Sequence, residues 1–531
     1  MPTEDSVLIV GGGPCGLLTA LLLARAGVRC RVLERKPGLS THPKAMGVSR
    51  RTAEIYRGLG LLGRIAEGSL AMEGRWLSIW AKSLVGEELG RIAIAAARSP
   101  LTPCEALHCP QTWVEEVLLA AVLAEPLASV QFGVQVDSVI PGPDGVAAVL
   151  GNGGSLSAPW LIAADGAGSG IRHALEVGTV GPGDMGHFIN VMFRANYGRR
   201  LADRPAVLYQ VLSEKFFEAF VTVNGSDLWL MHHFLPPGES AENSSAERFV
   251  PIIREASGLP DVPVEVLSLS PWVMSPKVAA QFRMGRILLV GDAAARLSPA
   301  GGLGLNTGLQ SAHNLAWKLA AVIRGEAGEG LLDSYDAERR SVALTTMRNT
   351  NRNADEMFAT VTAGLNGDFA RVRELVAGSR RGGSGLGQDL GVRYPEGAFL
   401  PDGTAAVEEA DPVNDYTPSG RPGGRAPHLA IRRNGTVCST LDLCGRGFNL
   451  FAGEDSPDWP APPEVSVLRH GRDFQSEEFL AVYGIDPTGA VLVRPDGYVG
   501  CRFLKAPEDP SDSLRLAMDR ILCRQPGPSR A

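Results

Sequence analysis

The stretch Ser6-Val-Leu-Ile-Val10-Gly11-Gly12-Gly13-Pro14-Cys15-Gly16 decides the fold of this chain. Four apolar residues run straight into a glycine cluster. From Leu17 to Ala26 the residues favour a helix, and Gly27 sits where a C-cap belongs. Arg29 to Leu33 then reads as a second strand. Strand, turn, helix and strand open a parallel doubly wound sheet. The glycines fit G-x-G-x-x-G: Gly11 for the tight turn, Gly13 for close approach of a pyrophosphate, and Gly16 for helix–strand packing. Pro14 and Cys15 complete the loop, with Cys15 read as a small spacer. A helix N-terminus behind such a loop offers free N–H groups and a dipole to an anion. Glu34 lies 18 residues after Gly16, at the end of the second strand. A carboxylate there accepts hydrogen bonds from a ribose diol, so the site fits the adenosine end of FAD or NAD.

Working outward, composition narrows the class. Of 531 residues, 44% are hydrophobic and 21% charged, an ordinary globular balance. The net charge of −7 gives no electrostatic footprint for nucleic acid or an anionic membrane. No apolar run approaches the roughly 18 residues of a membrane-spanning helix; the best, Leu17 to Ala24, stops at Arg25. Glu4-Asp5 precedes the first strand where a secretory signal would need basic and apolar residues. Eight cysteines show no CxxC, so we expect a cytoplasmic protein with free thiols and no metal site.

Two more apolar strands end in acidic turns. Trp160 to Ala164 runs into Asp165-Gly166, and Ile287 to Val290 into Gly291-Asp292. Between them, over 186–280, stretches such as Ala206–Leu212, Phe217–Val223 and Leu228–Phe234 predict a mostly antiparallel sheet. Helices are predicted over Gly308–Ile323 and from Tyr335 to about Phe358. The glycine-rich run Gly378–Gly391 lacks a preceding strand and reads as a linker. A Pro/Gly-rich tail follows, with a hairpin around Arg494-Pro-Asp-Gly497 and a final helix over Ser513–Leu522. The expected division is 1–185 for dinucleotide binding (with strands near 76–110 given to the sheet domain), 186–280 for substrate, 281–377 returning to the first domain, 378–395 as linker and 396–531 as tail.

Together these motifs resemble those of the single-component (class A) FAD-dependent aromatic hydroxylases, the para-hydroxybenzoate and phenol hydroxylase superfamily. The resemblance extends to His42-Pro-Lys-Ala45, Arg51-Thr-Ala-Glu-Ile55, Pro110-Gln111, Pro299-Ala-Gly-Gly-Leu-Gly-Leu-Asn306, Asn314-Leu-Ala-Trp-Lys-Leu319 and Tyr335-Asp-Ala-Glu-Arg-Arg340. In the tail, Gly424-Arg-Ala-Pro-His428, Asp442-Leu-Cys-Gly-Arg-Gly-Phe448 and Val493–Gly497 are similar to the longer members. The resemblance implies an α/β fold: a Rossmann-like FAD domain of the glutathione-reductase type, an inserted antiparallel substrate sheet, and a thioredoxin-like C-terminal domain. It also implies FAD as cofactor, NADPH or NADH as reductant, and O2 as co-substrate reacting through a flavin C4a-hydroperoxide. Asp292 would then meet the ribityl chain, and Asp165 would either touch FAD and NAD(P)H or hold its own turn. Pro299, Gly302, Gly304, Leu305 and Asn306 would wrap the isoalloxazine, while Arg35 and Gln111 would reach phosphate or ribose. Lys44 stands where the family usually has arginine, keeping the charge but losing the fork. Arg296 stands for a frequent histidine and Ser311 for a common aspartate.

A phenol reacts fastest as its anion, so a nearby proton acceptor would help. His232, His233 and Tyr209 are the candidates, and strand alternation puts His232 and His233 on opposite faces. Trp76, Trp80 and Trp229 read as core or pocket wall. The expected partner is a small aromatic substrate, phenolic or polyketide-like, with no nucleic acid and no membrane; a homodimer stays open. Hydroxylation leads the expected reactions, with Baeyer–Villiger insertion or epoxidation behind it and a non-catalytic flavin-binding protein last. Without CxxC the tail is expected to be structural, and its removal to spare FAD binding.

Overall fold

The parallel sheet owes its position at the centre of the molecule to the apolar strand that precedes the glycine loop. In this computed structural model, which describes residues 5–72, 74–94, 98–236, 239, 244–380, 382–444 and 447–524, Val7–Val10 is buried throughout. Glu4, Arg381, Gly445 and Arg446 of the stretches quoted above lie outside the described residues. The sheet runs Arg283–Met284, Ile287–Leu289, Trp160–Ala163, Val7–Val10, Cys30–Glu34 and Ala128–Phe132 in spatial order. All neighbours are parallel except the first pair. Register sets Val10 beside Ala163, and Ala163 beside Leu289. The three glycine- and aspartate-bearing turns therefore leave the same carboxyl edge, where ligands bind in open α/β sheets.

The second sheet has seven strands: Glu265–Met274, Gly186–Arg194, Leu228–Leu235, Phe217–Thr222, Leu208–Leu212, Leu77–Ala81 and Glu88–Ala93. Only Leu208–Leu212 and Leu77–Ala81 pair in parallel. Alternation divides its two faces. One buries Ile189, Val191, Tyr209, Phe220 and Met231 against Phe249 and Ile253 of the helix Ala246–Ser257. The other presents Phe188 and Trp272 toward Ala300 and Phe358.

The helices that follow are Gly304–Ile323 and the 33-residue Asp333–Leu365. The first starts four residues earlier than its sequence suggests, and close packing at Gly308 overrides that residue's poor helix propensity. A Cβ at Gly308 would stand 2.7 Å from the sulfur of Cys15, so this glycine lets two helices of the first domain approach.

The segment read as a linker is packed in place. It holds a short helix, Leu386–Leu390, whose Asp389 accepts from the backbone N–H groups of Arg50 (2.8 Å) and Arg51 (3.2 Å). The Asp389 carboxylate thus caps the helix Arg50–Gly58 from 339 residues away in sequence, beside Ser49 at the N-cap. No local pattern announces that contact. In the tail, strands Val465–Arg469, Phe448–Ala452, Ala490–Val493 and Val499–Phe503 form a four-stranded sheet beside the helix Pro510–Ile521.

Two buried glutamates of the first domain join the tail to it. Glu338 is gripped at both oxygens by Arg494 (2.7 and 2.9 Å) and also meets Lys318 at 2.8 Å. Arg494 in turn bonds Asp496 at 2.5 Å. Burial alone would raise the Glu338 carboxyl, but Arg494 and Lys318 outweigh it and hold it below the usual carboxylate range. Glu54 pairs with Arg425 and with Arg51 (3.0 Å), and accepts from Thr102 at 2.6 Å. Ser311, the departure from the family aspartate, accepts from the fully buried Arg339 at 3.1 Å, with the Tyr394 hydroxyl at 3.3 Å. Removing the tail would strip Arg425 and Arg494 from these buried acids, a cost to the stability of the first domain that is separate from the expected sparing of FAD binding. Breaking one partner of a buried pair costs about 3–5 kcal/mol. Arg494→Met should therefore lower the first thermal transition of the purified chain by many degrees. Arg515→Ala, which breaks an exposed pair on the helix Pro510–Ile521, should leave that transition almost unmoved.

Candidate active site

At the amino end of the cleft, Gly11 donates to Leu33 O at 2.8 Å and adopts φ +112°. A Cβ here would collide with the carbonyl of Ala164, and one at Gly16 with the carbonyl of Gly11. Gly13 differs: a Cβ there would meet nothing within 4 Å, so open space lies over it. Gly13 is the N-cap of the helix Pro14–Arg25 and offers no side-chain cap. Pro14 has no N–H. The first helical bond runs from Leu17 N–H to Gly13 O (2.9 Å), so the amides of Cys15 and Gly16 precede it. Such a cradle with unfilled space and free amides fits a pyrophosphate. The Cys15 side chain is packed against Gly291 and Gly308 and its thiol is pushed far up by burial, so only its amide faces the loop's task.

Glu34 accepts from Gly12 N–H at 2.7 Å and from Lys36 N–H at 2.9 Å. Its carboxylate therefore braces the glycine loop while standing at the edge of the cradle. Arg35 is exposed beside it. Gln111 begins the helix Gln111–Leu123 and donates its side-chain amide to Glu115 at 2.7 Å. Lys44 is exposed, and its charge acts on Glu115, Asp292 and His42, which places it over the cleft.

The middle turns are tied together by Arg172, which donates to Ala293 O (2.9 Å) and Ala167 O (3.2 Å). One oxygen of Asp165 accepts from Ile171 N–H at 3.3 Å, and the other is buried without a partner. Asp165 thus holds its own turn and also keeps an unused acceptor. Asp292 is reached by solvent, yet protein surrounds it closely enough for burial to push its carboxyl up against the opposing pull of Lys44 and Arg296.

At the far end, Gly301 (φ +145°) and Gly302 (φ +66°) turn the chain after Pro299 into the helix Gly304–Ile323. The Pro299 carbonyl accepts from both glycines, at 2.7 and 3.0 Å. The first helical bond is Thr307 N–H to Leu303 O at 2.8 Å, so the amides of Gly304, Leu305 and Asn306 lie ahead of it. The Asn306 side chain is occupied: it accepts from Ser49 N–H (2.8 Å) and donates to Gly47 O and Gly302 O (3.1 and 3.0 Å). It braces the loop, and only its amide is left for a ligand.

Among the three candidates for the substrate base, the sheet separates one from the other two. His233 bonds Glu218 at 2.7 Å and packs edge-on to Phe249, on the face covered by the helix Ala246–Ser257. Tyr209 lies in the same layer, its hydroxyl donating to Arg204 O and accepting from Ala206 N–H, both at 3.0 Å. Both face away from the cleft, which corrects the expectation for His233 and Tyr209; each serves the sheet's packing. His232 faces the other way, beside Asn190, to which its Nδ1 lies at 2.5 Å. Burial and the neighbouring His42 push His232 down to about 4, so it is neutral at ordinary pH. Sequence reasoning missed Asn190 and Trp272 in this layer; a lone asparagine in the apolar strand Gly186–Arg194 was the available signal. It also missed the unpartnered, buried Nε2 of His42 and Oε1 of Gln210.

A glycine cradle with open space over Gly13, an unpartnered Asp165 oxygen, and helix-start amides ahead of the first helical bonds at Leu17 and Thr307 suit an elongated, diphosphate-bearing flavin. The class they define is a Rossmann-type FAD enzyme. Comparison with known proteins agrees. A family model described as an FAD binding domain matches residues 4–350, and one described as the C-terminal part of aromatic-ring hydroxylases matches 419–524. The chain is 36% identical to the tetracenomycin A2 monooxygenase-dioxygenase of Streptomyces glaucescens, covering 99% of this chain and 98% of that one. The solved complex of the flavin-dependent monooxygenase PieE with FAD and substrate superposes with a TM-score of 0.92 at 29% identity, covering 99% and 100% of the two chains. A ternary complex of aklavinone-11 hydroxylase with FAD and aklavinone gives 0.86 at 32% identity, with the same coverage. The chain belongs to the FAD-binding aromatic-ring hydroxylases, and it is an FAD-dependent monooxygenase.

Two outcomes check this geometry. Because Gly13 has room for a methyl group until a ligand fills it, Gly13→Ala should cost the flavin-free chain no more than the roughly 1 kcal/mol of a poorer N-cap. Its FAD affinity should fall on the order of tenfold, about 1.4 kcal/mol, measured by flavin titration. The histidines give a pH signature. Unfolded, His232 and His313 titrate near 6.5, but folded only near 4. The stability from keeping them neutral is thus complete above pH about 6.5 and is lost as the pH falls toward 4. Thermal melts across that range should fall with pH, and His232→Leu should flatten part of the slope.

Proposed function

We propose that this enzyme hydroxylates a polycyclic phenol of the aromatic polyketide kind, with FAD along the cleft and NADPH or NADH as reductant. In this reading the amides of Cys15 and Gly16 hold the diphosphate under Gly13, and Glu34 accepts from the ribose hydroxyls. Asp165 and Asp292 offer acceptors to the connecting chain. The amides of Gly304, Leu305 and Asn306 bring the positive end of a 20-residue helix to the ring system, where reduction places negative charge. A flavin held by these residues would supply the redox chemistry, accepting reducing equivalents from the pyridine nucleotide and activating O2 for transfer of one oxygen atom to the substrate ring.

The observation that carries the substrate class is the cleft face of the seven-stranded sheet. Phe188 and Trp272 stack there with centroids 4.6 Å apart, and Phe234 meets Phe188 edge-on at 5.4 Å. This aromatic cluster, in which Trp272 is partly exposed and Phe234 exposed, has polar groups, His232 and Asn190, next to it. A planar fused-ring phenol matches such a surface, since it stacks by area and registers by one hydroxyl. Relatives named as a polyketide hydroxylase, a tetracenomycin A2 monooxygenase-dioxygenase and an aklavinone-11 hydroxylase support the reading.

The flavin part is then assigned to 1–185 and 281–377, and the substrate part to 186–280 with the strands Leu77–Ala81 and Glu88–Ala93. The tail from 396 is assigned a thioredoxin-like fold. Support comes from its order Val465–Arg469, Phe448–Ala452, Ala490–Val493, Val499–Phe503, with the first pair parallel and the others antiparallel. Its cysteines 438, 444, 501 and 523 are free thiols with no close pair in sequence, so its work is structural.

The test uses the purified FAD-loaded chain with NADPH or NADH, isotopically labelled O2 and a panel that includes aklavinone and tetracenomycin A2. The expected result is substrate-stimulated reductant consumption and a product carrying one labelled oxygen on an aromatic carbon. Consumption indifferent to every aromatic compound, or oxygen inserted between a carbonyl and its neighbour, contradicts it.

A further inference from the structure

We propose that His232 receives the substrate's phenolic O–H as a hydrogen-bond acceptor at Nε2, and that Asn190 and Trp272 are positioning residues that fix the tautomer required for it. The inference rests on the hydroxylase reading above for its substrate and on this chain's own geometry for everything else.

The argument starts from an atom with one possible role. An indole N–H only donates. Trp272 Nε1 lies 2.6 Å from Asn190 Oδ1, so that atom is the amide oxygen and the orientation of the amide is settled. The same oxygen lies 2.5 Å from His232 Nδ1. An amide oxygen cannot donate, so Nδ1 carries the hydrogen. In a neutral imidazole the other nitrogen is then a bare acceptor. Nε2 of His232 makes no hydrogen bond among the described residues, and the side chain keeps partial exposure on the cleft face.

The surroundings keep the ring neutral. His42, whose Nδ1 lies 2.7 Å from Ser268 Oγ, is the titratable group acting on His232, and burial and Lys44 pull its own titration down. The strand neighbours of His232 are Asn190 and Ala219, neither of which titrates. Glu218 and His233 bond one another on the opposite face and do not reach this one. Among the described residues, burial and His42 are the influences on His232 and no carboxylate raises its titration.

This fixes the kind of help the residue gives. A phenol titrates near about 10, far above His232, so the imidazole does not take the proton from the resting substrate. It accepts the hydrogen bond, orients the ring and raises electron density on the oxygen that directs attack. Had the tautomer been the other one, Nε2–H would compete for that oxygen's lone pair and withdraw density from it.

The experiment is nitrogen NMR of the full, FAD-loaded chain with labelled histidine, His232 being assigned by its loss in His232→Leu. The expected wild-type signal is Nδ1 protonated and Nε2 unprotonated at neutral pH, unchanged at pH 5. A protonated Nε2, or an equal mixture of tautomers, overturns the proposal. Trp272→Phe frees the amide to rotate and should convert the signal to a mixture; Asn190→Asp should bring the titration of His232 up past its ordinary value. A purely structural role for these two residues would move neither. The second measurement compares binding of 1-naphthol and its methyl ether to the oxidised flavoprotein by perturbation of the flavin absorbance. Preference for the phenol should be roughly tenfold or more and should vanish in His232→Leu. Equal binding, or binding of neither, contradicts the proposal. Both measurements are independent of turnover, so a wild-type tautomer as expected alongside absent hydroxylation would fault the proposed reaction and not the arrangement of His232.

Discussion

Three parallel strands ending in one row are the constraint from which the rest of this structure follows. Val10, Ala163 and Leu289 stand side by side in register, with neighbouring strands about 4.8 Å apart. Turns that are more than a hundred residues apart in sequence are thereby forced into one edge. The row closes only because side chains are missing where backbones meet. A Cβ at Gly11 would strike Ala164, one at Gly16 would strike Gly11, and one at Gly291 would come within 2.9 Å of Cys15. Glycine in these places is a condition for the strands and the helix behind them to share a plane. The same vacancies produce the cradle over Gly13, so the packing rule and the ligand site have a common cause.

From that edge the chemistry is distributed by charge and hydrogen bonding. Amides ahead of the first helical bond lie at two helix starts, Pro14–Arg25 and Gly304–Ile323, and the unpartnered Asp165 oxygen lies between them among the described residues. In the proposed reading, donors stand where a flavin would be anionic and acceptors where it would carry hydroxyls. The seven-stranded sheet then closes the opposite side with an aromatic surface and a neutral imidazole. Distant parts stabilise this arrangement. Asp389 caps the helix Arg50–Gly58, and Arg425 and Arg494 neutralise the buried Glu54 and Glu338. The tail is thus coupled to the elements that carry the cleft, although none of its residues needs to touch a ligand for that coupling to matter.

Much of this was legible in the sequence, for a physical reason. A buried parallel strand must be continuously apolar, and a turn that approaches another backbone must use glycine, so Val7–Gly16 announces itself. The two acidic turns are legible for the same reason. What was not legible depends on three-dimensional partners. Alternation states that His232 and His233 oppose one another but cannot say which face is covered; that is decided by Phe249 and Ile253, on a helix elsewhere in the chain. Tyr209 offers no local sign that its hydroxyl is consumed by Arg204 and Ala206. Asn306 belongs to a ligand-facing motif, yet its side chain is spent on Gly47, Ser49 and Gly302. The glycine-rich run before the tail resembles a tether in composition, while a single aspartate in it anchors a helix of the first domain.

Amide hydrogen exchange of the full chain with and without FAD tests the central claim most directly, because that claim concerns backbone N–H groups at opposite ends of one cleft. The account predicts that a single equivalent of FAD slows exchange at Cys15–Gly16 and at Gly304–Asn306 together, with the same dependence on flavin concentration. Protection at only one of these helix starts, or at neither, would contradict a flavin held along the whole row.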